Sequence, residues 1–200
     1  GTLVSPFESG FPSVLVTPSN LVTFATSSPG NLSNVWTAVS GSSPLILING
    51  APQFESNPDA HPRTAVGLSQ DGRYFYLMVI DGRQEGWSMG ATLYETGQWL
   101  ARFGAWNGLN LDGGGSSAMA QLADVAAVLL NRPSDGAERV VGNNLGVFAQ
   151  PLPPAVWNGG GANNRWRNAA NWNGTLPVPG RAFDLQFAGT TGLAPSNDFP

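Results

Sequence analysis

The sequence predicts an α+β fold: a mixed β-sheet with one or more packed helices, followed by a short β or irregular C-terminal segment. Three observations carry this. Short β-branched and apolar runs recur along residues 13–149, separated by Pro, Asn, Asp and Gly at turn positions. One stretch, Met89 to Phe103, has apolar residues at near-helical spacing. Beyond Pro154 the composition shifts to Trp, Asn and Gly.

Taken in order, Ser13–Thr17 and Leu21–Thr26 flank Pro18-Ser19-Asn20 and read as two strands around a turn. Residues 31–34 read as a loop, and Val35–Val39 as a short segment of unclear type. Pro44 to Asn49-Gly50 is a continuous apolar run closed by Asn-Gly, which fits a buried strand. Residues 51–62 form a polar loop with Glu55, Asp59 and His61; a lone His there is expected to face solvent. Thr64–Ser69 and Arg73–Asp81 flank Gln70-Asp71-Gly72, a hairpin signal. The second of these runs is apolar on both faces and is expected in the middle of a covered sheet. Ser88 is placed to cap a helix running to Phe103, with Met89, Leu93, Leu100 and Phe103 on one side. Gly97 interrupts it at a cost of about 1 kcal/mol against Ala, and Gly104 is a natural stop. Trp106–Leu111, Ala118–Gln121, Ala126–Leu130, and Val140 with Leu145–Ala149 complete the expected strands.

Three parts follow: a domain over 1–149, a proline-rich linker over 150–154 that is unsuited to a central strand, and a distinct segment over 155–200. Asp184–Phe187 reads as one short strand in that segment. Lacking a core of its own size, the segment is expected to be poorly ordered or to lean on the first domain.

Composition excludes several classes. The 200 residues are 42% hydrophobic and only 11% charged, against about a quarter charged in typical domains. That profile suits a β-rich secreted or surface protein. All nine basic residues are Arg and they are scattered, so no nucleic-acid partner is expected. The absence of Cys excludes thiolate catalysis and Cys-based zinc sites, and the single His excludes a His-rich metal centre. No apolar run approaches the roughly 18–20 residues of a membrane span. The chain carries no initiating Met or signal peptide and is expected to be a fragment of a longer protein.

The most informative stretch is Asn110-Leu111-Asp112-Gly113-Gly114-Gly115-Ser116-Ser117. A carboxylate, three glycines and two hydroxyls follow an apolar run. Successive amides in such a turn can form an anion-binding concavity. The alternative is a tight turn in which Asp112 caps the loop and the glycines meet no ligand. Among thirteen acidic residues, Asp81 and Asp112 stand out, because each ends an apolar run and precedes Gly. Parallel neighbouring strands would put both carboxylates on one rim. A Ser-hydrolase reading lacks Gly-x-Ser-x-Gly, and a P-loop lacks the Lys after the glycines. No cofactor is expected. Asp81, Asp112 and Asn oxygens offer ligands for a hard cation such as Ca²⁺ or Mg²⁺, but no calcium-loop spacing supports one.

The glycine stretch resembles the signature of the phosphodiester glycosidase family. Three further segments resemble that family in the same order: Pro62-Arg63-Thr64-Ala65-Val66-Gly67; Val79-Ile80-Asp81-Gly82-Arg83; and Asn131-Arg132-Pro133-Ser134-Asp135-Gly136 with Asn143-Asn144-Leu145-Gly146-Val147. They span about residues 44–149. The resemblance implies hydrolysis of a sugar-1-phosphodiester, releasing a sugar such as N-acetylglucosamine from a phosphate monoester. Asp112 and Asp81 would then be the catalytic carboxyls, since glycoside hydrolysis generally uses two. Arg63 and Arg132 offer planar forks for the phosphate. Gly113, Gly114, Gly115, Ser116 and Ser117 add donors, and Asn110 and Asn143 suit sugar hydroxyls. Family members also carry an upstream Asn-Gly-Gly-Phe-Phe-like motif; the nearest string, Ile48-Asn49-Gly50-Ala51, lacks the aromatics. An essential group upstream of Gly1 is therefore an open expectation. Residues 155–200 resemble the start of autotransporter-type β-strand repeats of bacterial surface proteins, which implies a secreted or cell-surface bacterial setting. The rival reading is a non-catalytic glycan-binding or adhesin module whose Trp residues stack on sugars. A further reading is phosphodiesterase cleavage at P–O, which hydrolysis in ¹⁸O water distinguishes by whether label enters sugar or phosphate.

Overall fold

A computed structural model describes all residues except 1–11, 27, 29, 31, 43, 54–57, 124–125, 149–152, 180–182 and 200. Glu55, Ala149 and most of the expected linker therefore lie outside the described residues. The chain divides into two compact units, 1–145 and 146–200.

In the first unit, β1 (Pro12–Val16) forms a hairpin with β2 (Val22–Thr26) and pairs on its other side with β3 (Thr37–Ser40). Asn20 takes a positive φ of 62° in the hairpin turn. The main sheet contains β4 (Leu45–Ile48), β5 (Ala51–Pro52), β6 (Arg63–Leu68), β7 (Phe75–Ile80) and β8 (Asn107–Asn110). Its order is β5-β4-β8-β6-β7, and every neighbouring pair is antiparallel. A separate hairpin joins β9 (Ala120–Ala123) and β10 (Ala126–Leu129). With one α-helix among the described residues, α1 (Leu93–Arg102), the fold is α+β, as the sequence predicts.

Side-chain alternation, interrupted in β4 by a register shift between Leu45 and Leu47, builds two cores on opposite faces of the main sheet. Ile46, Leu47, Ala65 and Ala105 pack with Leu100 of α1. Val66, Leu109 and Leu111 pack with Val14 of β1, alongside Phe24 and Val39 of its neighbouring strands. The sheet is thus covered by a helix on one face and by the three-stranded sheet on the other. Gly97 earns its place by close approach: a Cβ there would stand 2.4 Å from the Ile46 carbonyl oxygen. Gly97→Ala gains about 1 kcal/mol of helix propensity but forces an overpacked contact worth about 1–3 kcal/mol. Because backbone, not a flexible side chain, blocks the space, we expect a net loss of about 1 kcal/mol in urea unfolding. A variant more stable than the wild type would contradict this contact.

Four sequence expectations need correction. The helix begins at Leu93, not after Ser88. Thr92 caps it reciprocally with Glu95, the Thr92 side chain accepting from the Glu95 amide and Glu95 accepting from the Thr92 amide. Ser88 instead donates to the Asp81 carbonyl at 2.6 Å, and Met89 is exposed. β7 is an edge strand rather than a central one, its apolar character coming from Tyr76 and Met78 against the helix and Phe75 against the opposite core. Residues 138–148 contain no strand, and Val140 and Phe148 are fully exposed. Apolar residues there find no neighbouring strand to pair with.

The fourth concerns the second unit. Pro154 opens β11 (Pro154–Trp157), the middle strand of a sheet with β12 (Trp172–Gly174) and β13 (Asp184–Phe187). As a strand's first residue, Pro can join without disrupting the ladder. β11 pairs antiparallel with β12 and parallel with β13. The unit has its own small core: Ala155, Trp157 and Trp172 are buried, with Trp166 packed on them. Trp172 meets Trp157 and Trp166 edge-on, at centroid distances of 5.1 and 5.6 Å.

Candidate active site

The site grows out of strand direction. β8 and β7 both run antiparallel to β6, which lies between them, so their C-terminal ends emerge at the same rim where β6 begins. Asp81 follows β7, Asp112 follows β8, and Arg63 is the first residue of β6. The two carboxylate-bearing ends are parallel in direction but are not neighbours. The Leu111 amide donates to Thr64 at 2.8 Å and the Gly114 amide to Pro62 at 2.9 Å, which holds the glycine turn against the start of β6.

The turn Gly114–Ser116 is a single 3₁₀ turn. Gly114 has φ +63°, a backbone that other residues adopt at a cost. The amides of Ser116 and Ser117 donate to the carbonyls of Gly113 and Gly114. Three of the amides expected to receive an anion are therefore committed to backbone. Gly113 and Gly115 remain without an amide partner among the described residues. Ser117 is buried, its hydroxyl 3.2 Å from the Thr64 hydroxyl. A Cβ on Gly115 would run into the Asp135–Arg139 ion pair, which therefore lies over the turn.

Asp112 is exposed and accepts no hydrogen bond among the described residues. Asp81 is the opposite case. Its carboxylate accepts from the Trp87 indole at 2.9 Å, the Asn131 amide group at 3.0 Å, and the Arg132 backbone amide at 3.0 and 3.2 Å. Burial, the largest single influence, raises its pKa. The donors from Trp87, Asn131 and Arg132 together outweigh burial, so the carboxyl titrates below its ordinary value. Asn131 also donates to the Ser117 carbonyl and accepts from the Met119 amide, tying the end of β7 to the exit of the glycine turn.

The remaining candidates divide. Asn110 is buried; its amide group donates to the Ser42 hydroxyl at 2.8 Å and the Leu111 carbonyl at 2.7 Å, leaving Oδ1 unpartnered among the described residues. Arg63 donates from Nε to the Ala91 carbonyl and from Nη2 to the Asp59 carbonyl. The Arg132 guanidinium lies over the Trp87 ring, 5.9 Å from its centroid. Asn143 is exposed in the irregular stretch after residue 138. Two residues of the site are not singled out by the sequence alone. One is Asn131, the link just described. The other is Arg83, whose Nη2 lies 3.3 Å from His61 Nδ1. Both stand inside the quoted motifs, which was the available signal. Among the described residues no three His, Asp or Glu side chains are grouped to share a metal ion.

The sequence profile of the phosphodiester glycosidases matches residues 8–148. The SPbeta prophage-derived uncharacterized protein YomE of Bacillus subtilis (strain 168) is 38% identical over 87 residues, 44% of this chain and 13% of that protein. Among solved structures, the catalytic domain of zebrafish N-acetylglucosamine-1-phosphodiester alpha-N-acetylglucosaminidase, auto-inhibited by its pro-peptide, aligns with TM-score 0.49 and 21% identity. That alignment covers 62% of this chain and 45% of the zebrafish chain. A hypothetical protein from Synechocystis aligns with TM-score 0.38 and 23% identity, covering 66% of this chain and 33% of its own. The chain thus spans less than half the length of each of these relatives.

Proposed function

The chain belongs to the phosphodiester glycosidase family, and from that premise we propose that it hydrolyses a sugar-1-phosphodiester, releasing the sugar from a phosphate monoester. The observation that carries this reading is the single rim that holds Asp81, Asp112 and the glycine turn around the start of β6. In the proposed reaction water adds to the sugar's anomeric carbon and the C–O bond to phosphate breaks. A phosphate monoester leaves as a stable anion, so the leaving oxygen needs little protonation. The greater demand is to deliver water, or a carboxylate, to a carbon that develops positive charge. Asp112 suits that demand, being exposed and unengaged. Asp81 is already saturated with donors and serves as a fixed anion that positions Asn131 and Arg132. The substrate is proposed as a carbohydrate phosphodiester, with N-acetylglucosamine as the first sugar to test. A secreted or cell-surface bacterial setting is proposed on composition and on the resemblance of residues 155–200 to the repeats of bacterial surface proteins.

The second unit is proposed as the opening of a β-strand repeat region, supported by the parallel pairing that sets Pro154 opposite Asp184. A glycan-binding role for its Trp residues draws no support from their packing. Trp157 and Trp172 are spent on the core, with relative exposures of 2% and 7%.

Mass-spectrometric product analysis tests the enzyme reading. We expect free sugar and a phosphate monoester from N-acetylglucosamine-1-phosphodiesters, with ¹⁸O from water in the sugar. Label in the phosphate would reassign the cut to P–O. No product from folded protein, beside a longer chain that is active, would place an essential group outside these residues.

A further inference from the structure

Arg83 combines three properties that no other arginine of the first unit has together. It holds a positive φ of 56°, a strained backbone for a bulky residue, and it lies directly after the β7 rim. Its guanidinium rests on the glycine turn: a Cβ built on Gly114 would stand 3.2 Å from Nη1 and 3.5 Å from Nη2. Among the described residues its side-chain hydrogen-bond partner is His61 Nδ1, and no carboxylate lies within ion-pair distance of it. The neighbouring guanidinium over the turn, Arg139, is already neutralised by Asp135. Arg63 has two guanidinium nitrogens on backbone carbonyls, and Arg132 lies on Trp87. Asp135 feels the charge of both Arg83 and Arg139 but is ion-paired with Arg139, so two guanidinium groups face one carboxylate over the turn, and Arg83 brings the excess positive charge, in a planar fork, to the backbone that follows Asp112.

We propose that Arg83, not Arg63, grips the phosphate of the substrate, and that the strained backbone at this position holds its fork over the glycine turn. This rests on the sugar-phosphodiester reading, and deepens it by naming the anion-binding residue. Such a contact is made in both the bound substrate and the transition state, so its loss raises KM more than it lowers kcat.

The experiment compares wild type with Arg83→Gln, Arg83→Gly and Arg63→Gln. One readout is affinity for inorganic phosphate by calorimetry; another is KM and kcat on the N-acetylglucosamine-1-phosphodiester; the third is Tm. We expect both Arg83 variants to weaken phosphate binding and raise KM at least tenfold, with kcat changed less than threefold. Arg83→Gly should unfold no earlier than wild type, because Gly adopts positive φ without strain. Arg63→Gln should leave phosphate affinity within twofold. Phosphate affinity unchanged in folded Arg83→Gln, or no phosphate binding by wild type, overturns the proposal. Phosphate binding that depends on Arg83 without turnover of any diester would leave this assignment standing and sink the enzyme reading. Turnover with an unchanged KM in Arg83→Gln would do the reverse.

Discussion

Asp112→Asn is expected to lower kcat at least 10³-fold while sugar-phosphate affinity stays within about twofold. The magnitude corresponds to about 4 kcal/mol of transition-state stabilisation, within the range of one general acid–base group or nucleophile. The expectation comes from contrast on the rim. Asp81 has all its donors in place, whereas Asp112 is exposed and accepts no bond among the described residues. Asn keeps the shape and removes the charge and basicity. Since Asp112 supports none of the surrounding hydrogen bonds, stability should be unaffected, and unfolding curves of the two proteins should overlay. Steady-state kinetics with binding of the unreactive product decides the matter. Loss of binding in parallel with turnover would make Asp112 a ligand contact, and unchanged turnover would remove it from the chemistry.

How much of this was legible in the sequence depends on the range of the determining contact. Local signals suffice at the Pro18-Ser19-Asn20 and Gln70-Asp71-Gly72 turns, where backbone preference decides. The placement of Asp81 and Asp112 on one rim was also readable, because each ends an apolar run. The interposed β6 was not, since strand order is set by which apolar faces meet across the sheet, and no local residue encodes it. For the same reason β7 read as central: apolar side chains on both faces report two covered faces, not two strand partners. The helix starts after Thr92 rather than Ser88, and its signal is local: Thr92 and Glu95 stand three residues apart. Arg83 is the harder case. Its fork matters only because a left-handed backbone at that residue carries it onto Gly114, and an Asp-Gly-Arg string does not announce that conformation. Likewise the glycine turn read as a nest of available amides, yet three of them are used to seat the turn on Pro62 and close it.

Asp81 carries the second large effect, and here it falls on stability as well as activity. Asp81→Ala should cost about 2–3 kcal/mol of unfolding free energy, the range for hydrogen bonds to a charged acceptor. Water can replace the carboxylate for the exposed Trp87 and Arg132, so the loss concentrates at Asn131, which would keep Ser117 and Met119 but lose its anchor to β7. The glycine turn's exit then loosens from the rim, and kcat should fall at least tenfold even though Asp81 moves no proton in the proposed reaction. Acid supplies the check. The folded carboxyl titrates below its ordinary value of 3.8 because the three donors outweigh burial. Its contribution is therefore complete above that value and disappears as pH falls through the lower, folded-state value. The stability gap between wild type and Asp81→Ala should be constant from pH 7 to about pH 5 and narrow below about pH 4. Urea unfolding at pH 7, 5 and 3 measures this directly. A gap that is as wide at pH 3 as at pH 7 would show that the side chain contributes through packing rather than charge, and would strip Asp81 of its role as the fixed anion of the rim.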